Sequence, residues 1–381
     1  MKRQAPNSDH QGPTNRQSIT LLVSGDVMIG RGIDQVLPQS VNPVLYERYI
    51  KNALKYVKLA QYKSGPIPKK ISYDYIWGDA LIEMQRRNPD IKIINLETAI
   101  TTSDDYWQQK EIHYRMHPKN IRVLTKANIN VCVLGNNHIL DWGFDGLRDT
   151  LNVLEKNHLL TTGAGLNIET AAKPAIVNTS KGRLLVFSYA STSAGTPTSW
   201  KVTEDRPGVN LLEKLDHKTA IKIGRNINSF YQDGDRVVVS IHWGANFGYD
   251  IPNDQQAFAR HLIDTGLVDL IHGHSSHHPK GIEVYNKRLI LYGCGDLIND
   301  YEGINGHEEY RDDLSLLYFV EMDTSGALNS LIMTPMKIHG FRLQHANHYD
   351  TQWIADQLKS KYRKFSISFN TLQDNVLKLL F

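Results

Sequence analysis

Five short apolar runs each end in residues that can hold a metal ion or move a proton. Ile19–Ser24 leads into Gly25-Asp26, Ile91–Ile94 into Asn95-Leu96-Glu97, and Ile129–Leu134 into Gly135-Asn136-Asn137-His138. Arg236–Ile241 leads into His242, and Val268–Ile271 into His272-Gly273-His274, with His277 three residues on. Six of the sixteen histidines fall between Ile241 and Pro279, a concentration that needs a chemical reason. Taken singly, each residue has a plain structural role: Asp26, Asn136 and Asn137 can form turns or caps, Glu97 can be solvated, and a histidine can be a satisfied core or surface group. Taken together, Asp26, Glu97, Asn137, His242, His274 and His277 form the mixture of carboxylate, amide oxygen and imidazole that borderline divalent ions use. The set contains no thiolate, which argues against a structural zinc site. It suits a solvent-open centre in which one carboxylate is shared between two ions.

Such residues must be held by a frame. The runs are four to six residues long and rich in Val and Ile, as buried strands are. Helical spacing fills the intervals: Leu147, Leu151 and Leu154 fall at i, i+4 and i+7, and Asn253 or Asp254 can cap a helix that carries Phe258 and Leu262. Trp77 to Arg87 and Leu211 to Tyr231 fit further helices. Strands alternating with helices, with polar residues at the strand C-termini, predict an α/β domain whose ligands sit outside those ends. Two hairpins are expected later, one across Asn286-Lys287 and one across Thr324-Ser325-Gly326. Segments 102–118, 191–210 and 299–313 are expected to be functional loops. No repeat or linker divides the motifs, so one domain is expected over 18–345, with a helical extension over 346–381.

The composition excludes several classes. The 381 residues are 41% hydrophobic and 22% charged with both signs mixed, which are globular values. A net charge of +3 is too small to argue for nucleic acid or a membrane surface as partner. No apolar run approaches the roughly 18 residues of a spanning helix. Residues 1–17 are polar, carry Lys2, Arg3 and Arg16, and are expected to be a disordered tail without a secretory signal. The chain as it stands is therefore expected in the cytoplasm, with an extracytoplasmic, membrane-associated place left open if it is trimmed. Cys132 and Cys294 lie inside apolar runs and are expected in the core.

The ordered motifs carry a resemblance. Gly25-Asp26-Val27-Met28-Ile29-Gly30-Arg31, Asn95-Leu96-Glu97, Asn136-Asn137-His138-Ile139-Leu140-Asp141-Trp142-Gly143, His242-Trp243-Gly244, Gly273-His274-Ser275-Ser276-His277 and Gly281-Ile282-Glu283-Val284-Tyr285 resemble the CapA family. That family is named for poly-γ-glutamate capsule synthesis and belongs to the calcineurin-like metallophosphoesterase superfamily. The resemblance runs from about residue 19 to about residue 340. It implies a sandwich of two mixed β-sheets flanked by helices (αββα), with two divalent ions (Mn, Fe, Zn or Mg) at the strand ends. By the same resemblance Asp26 ligates metal one, Glu97 bridges, and Asn137, His242 and His274 hold metal two, while His277 returns to metal one and His138 protonates a leaving group. Met28 stands where the wider superfamily has a histidine, and two residues instead of one separate His274 from His277, as in the CapA branch.

Asn95 and Asp296 are expected to support the ligands from behind, and Arg31 and Arg115 to bind an anionic substrate. The activity implied is metal-assisted hydrolysis of a small or polymeric anionic substrate in the metabolism of poly-γ-glutamate or a related cell-envelope polymer. Two alternatives stand beside it: hydrolysis of an amide or peptide bond at the same centre, and a non-catalytic, metal-bearing subunit working with other capsule-synthesis proteins.

Overall fold

The computed structural model describes residues 18–381, so the expected disordered tail, residues 1–17, lies outside the described residues. In chain order the first part supplies strand β1 (Ile19–Val27), helix α1 (Ala80–Arg87), strands β2 (Ile91–Leu96) and β3 (Val131–Val133), helix α2 (Gly143–Lys156) and strand β4 (Leu160–Thr162). Strand β5 (Gly182–Ser191), helix α3 (His217–Phe230), strand β6 (Arg236–His242), helix α4 (Asn253–Asp264) and strand β7 (Leu270–His274) follow. The last part adds strands β8 (Ile282–Tyr285), β9 (Arg288–Leu291), β10 (Asp296–Ile298), β11 (Leu314–Met322) and β12 (Leu328–Ile338). Helix α5 (His348–Lys361) and strands β13 (Ser368–Thr371) and β14 (Leu377–Leu380) come after them.

These strands form two mixed sheets. A ten-stranded sheet runs β13-β14-β12-β11-β1-β2-β3-β4, with β10 also paired to β1 and a short strand, Leu343–His345, paired to β12. A seven-stranded sheet is built on parallel β5, β6 and β7, continued by β9 and the hairpin strand β8. Side chains alternate across a strand, and the sheets use this. Leu21 and Val23 join the apolar cluster shared with Val186, Val238 and Leu270 of the second sheet, which alternate in phase with His242 and His274. Leu22 and Ile94 instead meet Met84 of α1 and Leu147 and Leu154 of α2. Helices α3 and α4 cover the second sheet through Ile223, Ile227, Phe258 and Leu262. Each such side chain contributes about 1.5–3 kcal/mol when fully buried, so the two mixed sheets hold one another. This is the αββα architecture that the resemblance implies.

Local chemistry sets the boundaries. Asn286 and Lys287 both adopt positive φ, 48° and 62°, the geometry of a two-residue hairpin turn with the strands' twist. Helix α3 starts at His217 because Asp216 accepts the Thr219 N–H at 2.8 Å; the expected helix from Leu211 is therefore shorter. Strand β1 runs past Ser24 to Val27 because β2 and β10 pair with it on both sides, and Asp26 thus lies within the strand. The expected loops 102–118, 191–210 and 299–313 carry only one-turn helices and two-residue strands.

The C-terminal segment departs from expectation. After α5 it is a hairpin of β13 and β14, and Leu377 and Lys378 pair with Met333 and Ile332 of β12. Leu377 and Leu379 are buried while Lys378 and Leu380 are exposed, a period of two that a helix cannot use. The extension is therefore helix plus sheet edge.

Candidate metal centre

Asp26 is placed by three strands. In register it stands beside Asn95 of β2 and Asp296 of β10. The β10 approach is so close that a Cβ on Gly25 would lie 1.6 Å from the Gly295 carbonyl oxygen; only glycine permits the Asp26 N–H to reach that oxygen at 3.0 Å. Asn95 Nδ2 donates to Asp26 Oδ1 at 2.7 Å, and Asn136 Nδ2 donates to Asn95 Oδ1 at 3.0 Å, so a relay of amides fixes the carboxylate. Asn95 thus supports Asp26 directly. Ser275, strained at φ 100°, aims its N–H at Asp26 Oδ2 at 3.2 Å.

The histidines arrive from β6 and β7, where His242 and His274 are register partners. Their Nδ1 atoms are 2.8 Å apart. Ser240 Oγ lies 2.8 Å from His274 Nε2 and 3.1 Å from His272 Nδ1, and the other His272 nitrogen reaches the Ser24 carbonyl at 2.8 Å. Asp26, His242 and His274 present ligand atoms within 4.8 Å of one another, and so do Asp26, His277 and Asp296. Asp26 is common to both groups. Glu97 stands outside these tight groups, its Oε1 at 3.8 Å from His242 Nε2 and 3.9 Å from His138 Nε2. Asp296, expected only as support, belongs to the cluster: its oxygens lie 3.0 and 3.1 Å from His277 Nδ1, and Asn299 Nδ2 donates to it at 2.8 Å. No sequence signal marked it, since the dipeptide Gly-Asp of Gly25-Asp26 and Gly295-Asp296 also occurs at Gly78-Asp79 and Gly234-Asp235.

Burial sharpens the electrostatics. It pushes the Asp26 carboxyl up to about 8, helped by the Asp296 charge, and it raises Glu97 well above the carboxylate range, helped by Asp26 and Asp296. Burial lowers His242 and His274. It also opposes protonation of His277, but Asp296 and Asp26 outweigh it and raise that histidine. Crowded carboxylates out of water call for a cation. Glu97 Oε2, Asn137 Oδ1 and His242 Nε2 are each buried without a hydrogen-bond partner, three orphaned atoms on three of the expected ligands. The donor set therefore fits divalent ions.

Beside the cluster, His138 is held from three sides. Asp141 Oδ2 accepts from its Nδ1 at 2.6 Å, Tyr114 stacks on its ring at 3.9 Å between centroids, and its backbone N–H donates to Asn136 Oδ1 at 3.0 Å. Asp141 Oδ1 in turn takes the Lys110 ammonium, which also donates to the Asn137 carbonyl. Burial, then the charges of Lys110 and Arg31, lowers His138; burial raises Asp141 to about 6 against the pull of Lys110. Lys110 and Tyr114 carry no metal-site signature in the sequence, and only contact reveals them.

Arg31 and Arg115 are placed otherwise than expected. Arg31 is 4% exposed, and its guanidinium is shared among Asp300, Glu47 at 3.0 Å and Tyr56 at 2.9 Å. Arg115, also 4% exposed, lies 3.6 Å over the Trp142 ring and bonds Ser103 O and Asp104. A guanidinium withdrawn from water needs such partners, which leaves neither arginine free to clamp a substrate.

Residues 20–301 match the family described as "Bacterial capsule synthesis protein PGA_cap". The chain is 42% identical over 369 residues to a "Probable polyglutamine synthesis accessory protein" of Mycobacterium tuberculosis, covering 96% of this chain and 97% of the relative. It is 29% identical over 317 residues to the "PGA biosynthesis protein CapA" of Bacillus subtilis, covering 83% and 70%. A solved structure described as a 5'-nucleotidase precursor from Thermus thermophilus aligns with TM-score 0.44 and 14% identity over 91% of this chain and 59% of that one.

Proposed function

The chain belongs to the bacterial capsule synthesis protein PGA_cap family, and on that premise we propose that it is a metal-dependent hydrolase with a dinuclear centre, acting in capsular polyglutamate or related cell-envelope polymer metabolism. The observation that carries the proposal is the set of orphaned buried atoms on Glu97, Asn137 and His242 around the two carboxylate and imidazole groups that share Asp26. Asp26, Glu97, Asn137, His242, His274 and His277 would hold the ions. Asp296 would add an oxygen where Met28 offers only a thioether. Bound divalent ions would supply Lewis acidity at the substrate oxygen and a water acidified toward neutrality.

The chain's own residues do the rest. With Nδ1 donated to Asp141, His138 keeps Nε2 for the proton exchanged with the departing atom. Tyr114 and Lys110 fix the ring and its carboxylate, so the imidazole meets substrate in one orientation. Neither the bond cleaved nor the polymer is read by these groups, and a phosphoester and a γ-glutamyl amide both suit them.

The name of the mycobacterial relative, an accessory protein, favours a second reading: a metal-bearing subunit that turns over nothing alone. One experiment separates the two. Metal-loaded protein and its His138→Ala variant are assayed against phosphomonoesters, phosphodiesters and γ-glutamyl amides. Hydrolysis by the wild type, falling roughly 10²–10⁴-fold in the variant with metal content unchanged, supports the enzyme. No turnover of any class by fully loaded wild type supports the subunit.

A further inference from the structure

The face of the second sheet turned away from the metal centre carries a feature that this function does not use. On β5, Ala190 stands opposite His242 and Tyr189 opposite Ile241, so strand alternation sends Tyr189 to the outer face. There it forms part of the floor of a pocket of about 500 Å³ between β5 and helix α3. Tyr189 is 3% exposed, and its hydroxyl lies beside the amides of Asn210 and Asn226 with no regular hydrogen bond to any group. Both amides already donate to carbonyls, Asn210 to Ser188 at 3.3 Å and Asn226 to Ala172 at 3.0 Å. A buried phenol without a partner is a group awaiting one.

The mouth is cationic. Lys218 and Lys222 lie one turn apart on one side of α3, and Lys214 stands just before its Asp216 cap. None forms an ion pair with a described residue, although two acids share the lining and Asp216 lies in electrostatic reach of Lys214 and Lys218, so the lysines outnumber the acids without being free of them. Glu213 pairs with Lys201, and Asp216 caps α3. Leu211 and Ile223 supply apolar wall between rim and floor. An apolar, concave pocket of this size with a few convergent polar groups is the usual form of a small-molecule site. A solvated lysine face would lack the floor, and a flat membrane could not reach it.

We propose that this pocket binds a small organic anion, its carboxylate or phosphate group on Lys214, Lys218 and Lys222 and its polar body on Tyr189. It is a site separate from the metal centre and independent of the hydrolase reading. The test is calorimetric titration of the full-length, metal-loaded protein with glutarate, γ-glutamylglutamate, glucose 6-phosphate and, as uncharged control, glucose. At least one anion should bind and glucose should not, and the winning anion tells carboxylate from phosphate. Lys218→Glu/Lys222→Glu should weaken that binding at least tenfold, and 0.5 M salt should weaken it in the wild type, because screening acts on an exposed rim. Tyr189→Phe should weaken it about fivefold or more, while the free variant melts no lower than wild type, since it loses only an orphaned hydroxyl. The proposal is overturned if no anion binds, or if binding survives the double charge reversal and therefore belongs to the metal centre. It is equally overturned if Tyr189→Phe leaves affinity intact, since the anion would then touch the lysines only.

Discussion

Replacing Asp141 by asparagine removes the charge that organises His138 and Lys110. Asp141 is wholly buried, and both oxygens are used: Oδ1 by the Lys110 ammonium, Oδ2 by His138 Nδ1 at 2.6 Å and the Tyr114 N–H at 2.7 Å. Asparagine keeps one acceptor and turns a donor toward the others, so the ammonium loses its counter-charge. Breaking a buried pair by removing one partner costs about 3–5 kcal/mol. Burial already depresses Lys110, and the Asn137 carbonyl remains a partner, so the lower end applies, about 3 kcal/mol. With roughly 2.1 cal/mol/K of unfolding entropy per residue over 381 residues, the melting temperature should fall by about 4 °C. Denaturant titrations of Asp141→Asn, Lys110→Met and the double variant supply the decisive cycle. The double variant should cost about 1–3 kcal/mol less than the sum of the singles. Costs that add to within about 0.3 kcal/mol would refute the coupling, and with it the idea that Lys110 holds Asp141 in place.

Gly25→Ala should cost at least about 3 kcal/mol and lower the metal content, because the new Cβ meets backbone at Gly295 and must separate β1 from β10. A variant that melts and loads like wild type would contradict that packing. Asp296→Ala should let a mild chelator strip one ion faster while the other stays, as elemental analysis over a dialysis time course would show; unchanged release of both ions would remove Asp296 from the site. Lys280 titrates at about 8 against an ordinary 10.5 because burial disfavours its charge, with Asp250 pulling the other way. The unfolded chain therefore holds more protons from about pH 8 to 10.5, and stability should rise with pH across that window. His278 beside it titrates near 4, outside the window. Lys280→Met should flatten the rise, and equal slopes in the two proteins would show that Lys280 is solvated.

What the sequence disclosed and what it hid have separate physical causes. Val- and Ile-rich runs ending in Asp26, Glu97, His242 and His274 signal buried strands whether or not their neighbours are known, because burial on both faces is written into each run. Asp296 as a cluster member depends on β10 lying against β1, a pairing across some 270 residues that no local pattern encodes. The same distance hides the fate of Arg31, whose partner Asp300 lies 269 residues away. A guanidinium's spacing says nothing of whether it will be neutralised internally. The C-terminal hairpin is stable only as an addition to β12, so the alternation of Leu377 and Leu379 carries little weight until the sheet edge is known. Residues 1–17 and their expected disorder stand outside the described chain.

Anomalous diffraction from crystals of the full-length protein, loaded in turn with manganese and zinc, puts the metal centre to the most direct test. Two peaks should appear in the Asp26 cluster, one in reach of Asn137, His242 and His274, the other of His277 and Asp296, with ligand distances of about 2.0–2.2 Å. No peak at these residues under either metal, or peaks only at surface histidines, would contradict a metal-dependent function for this chain.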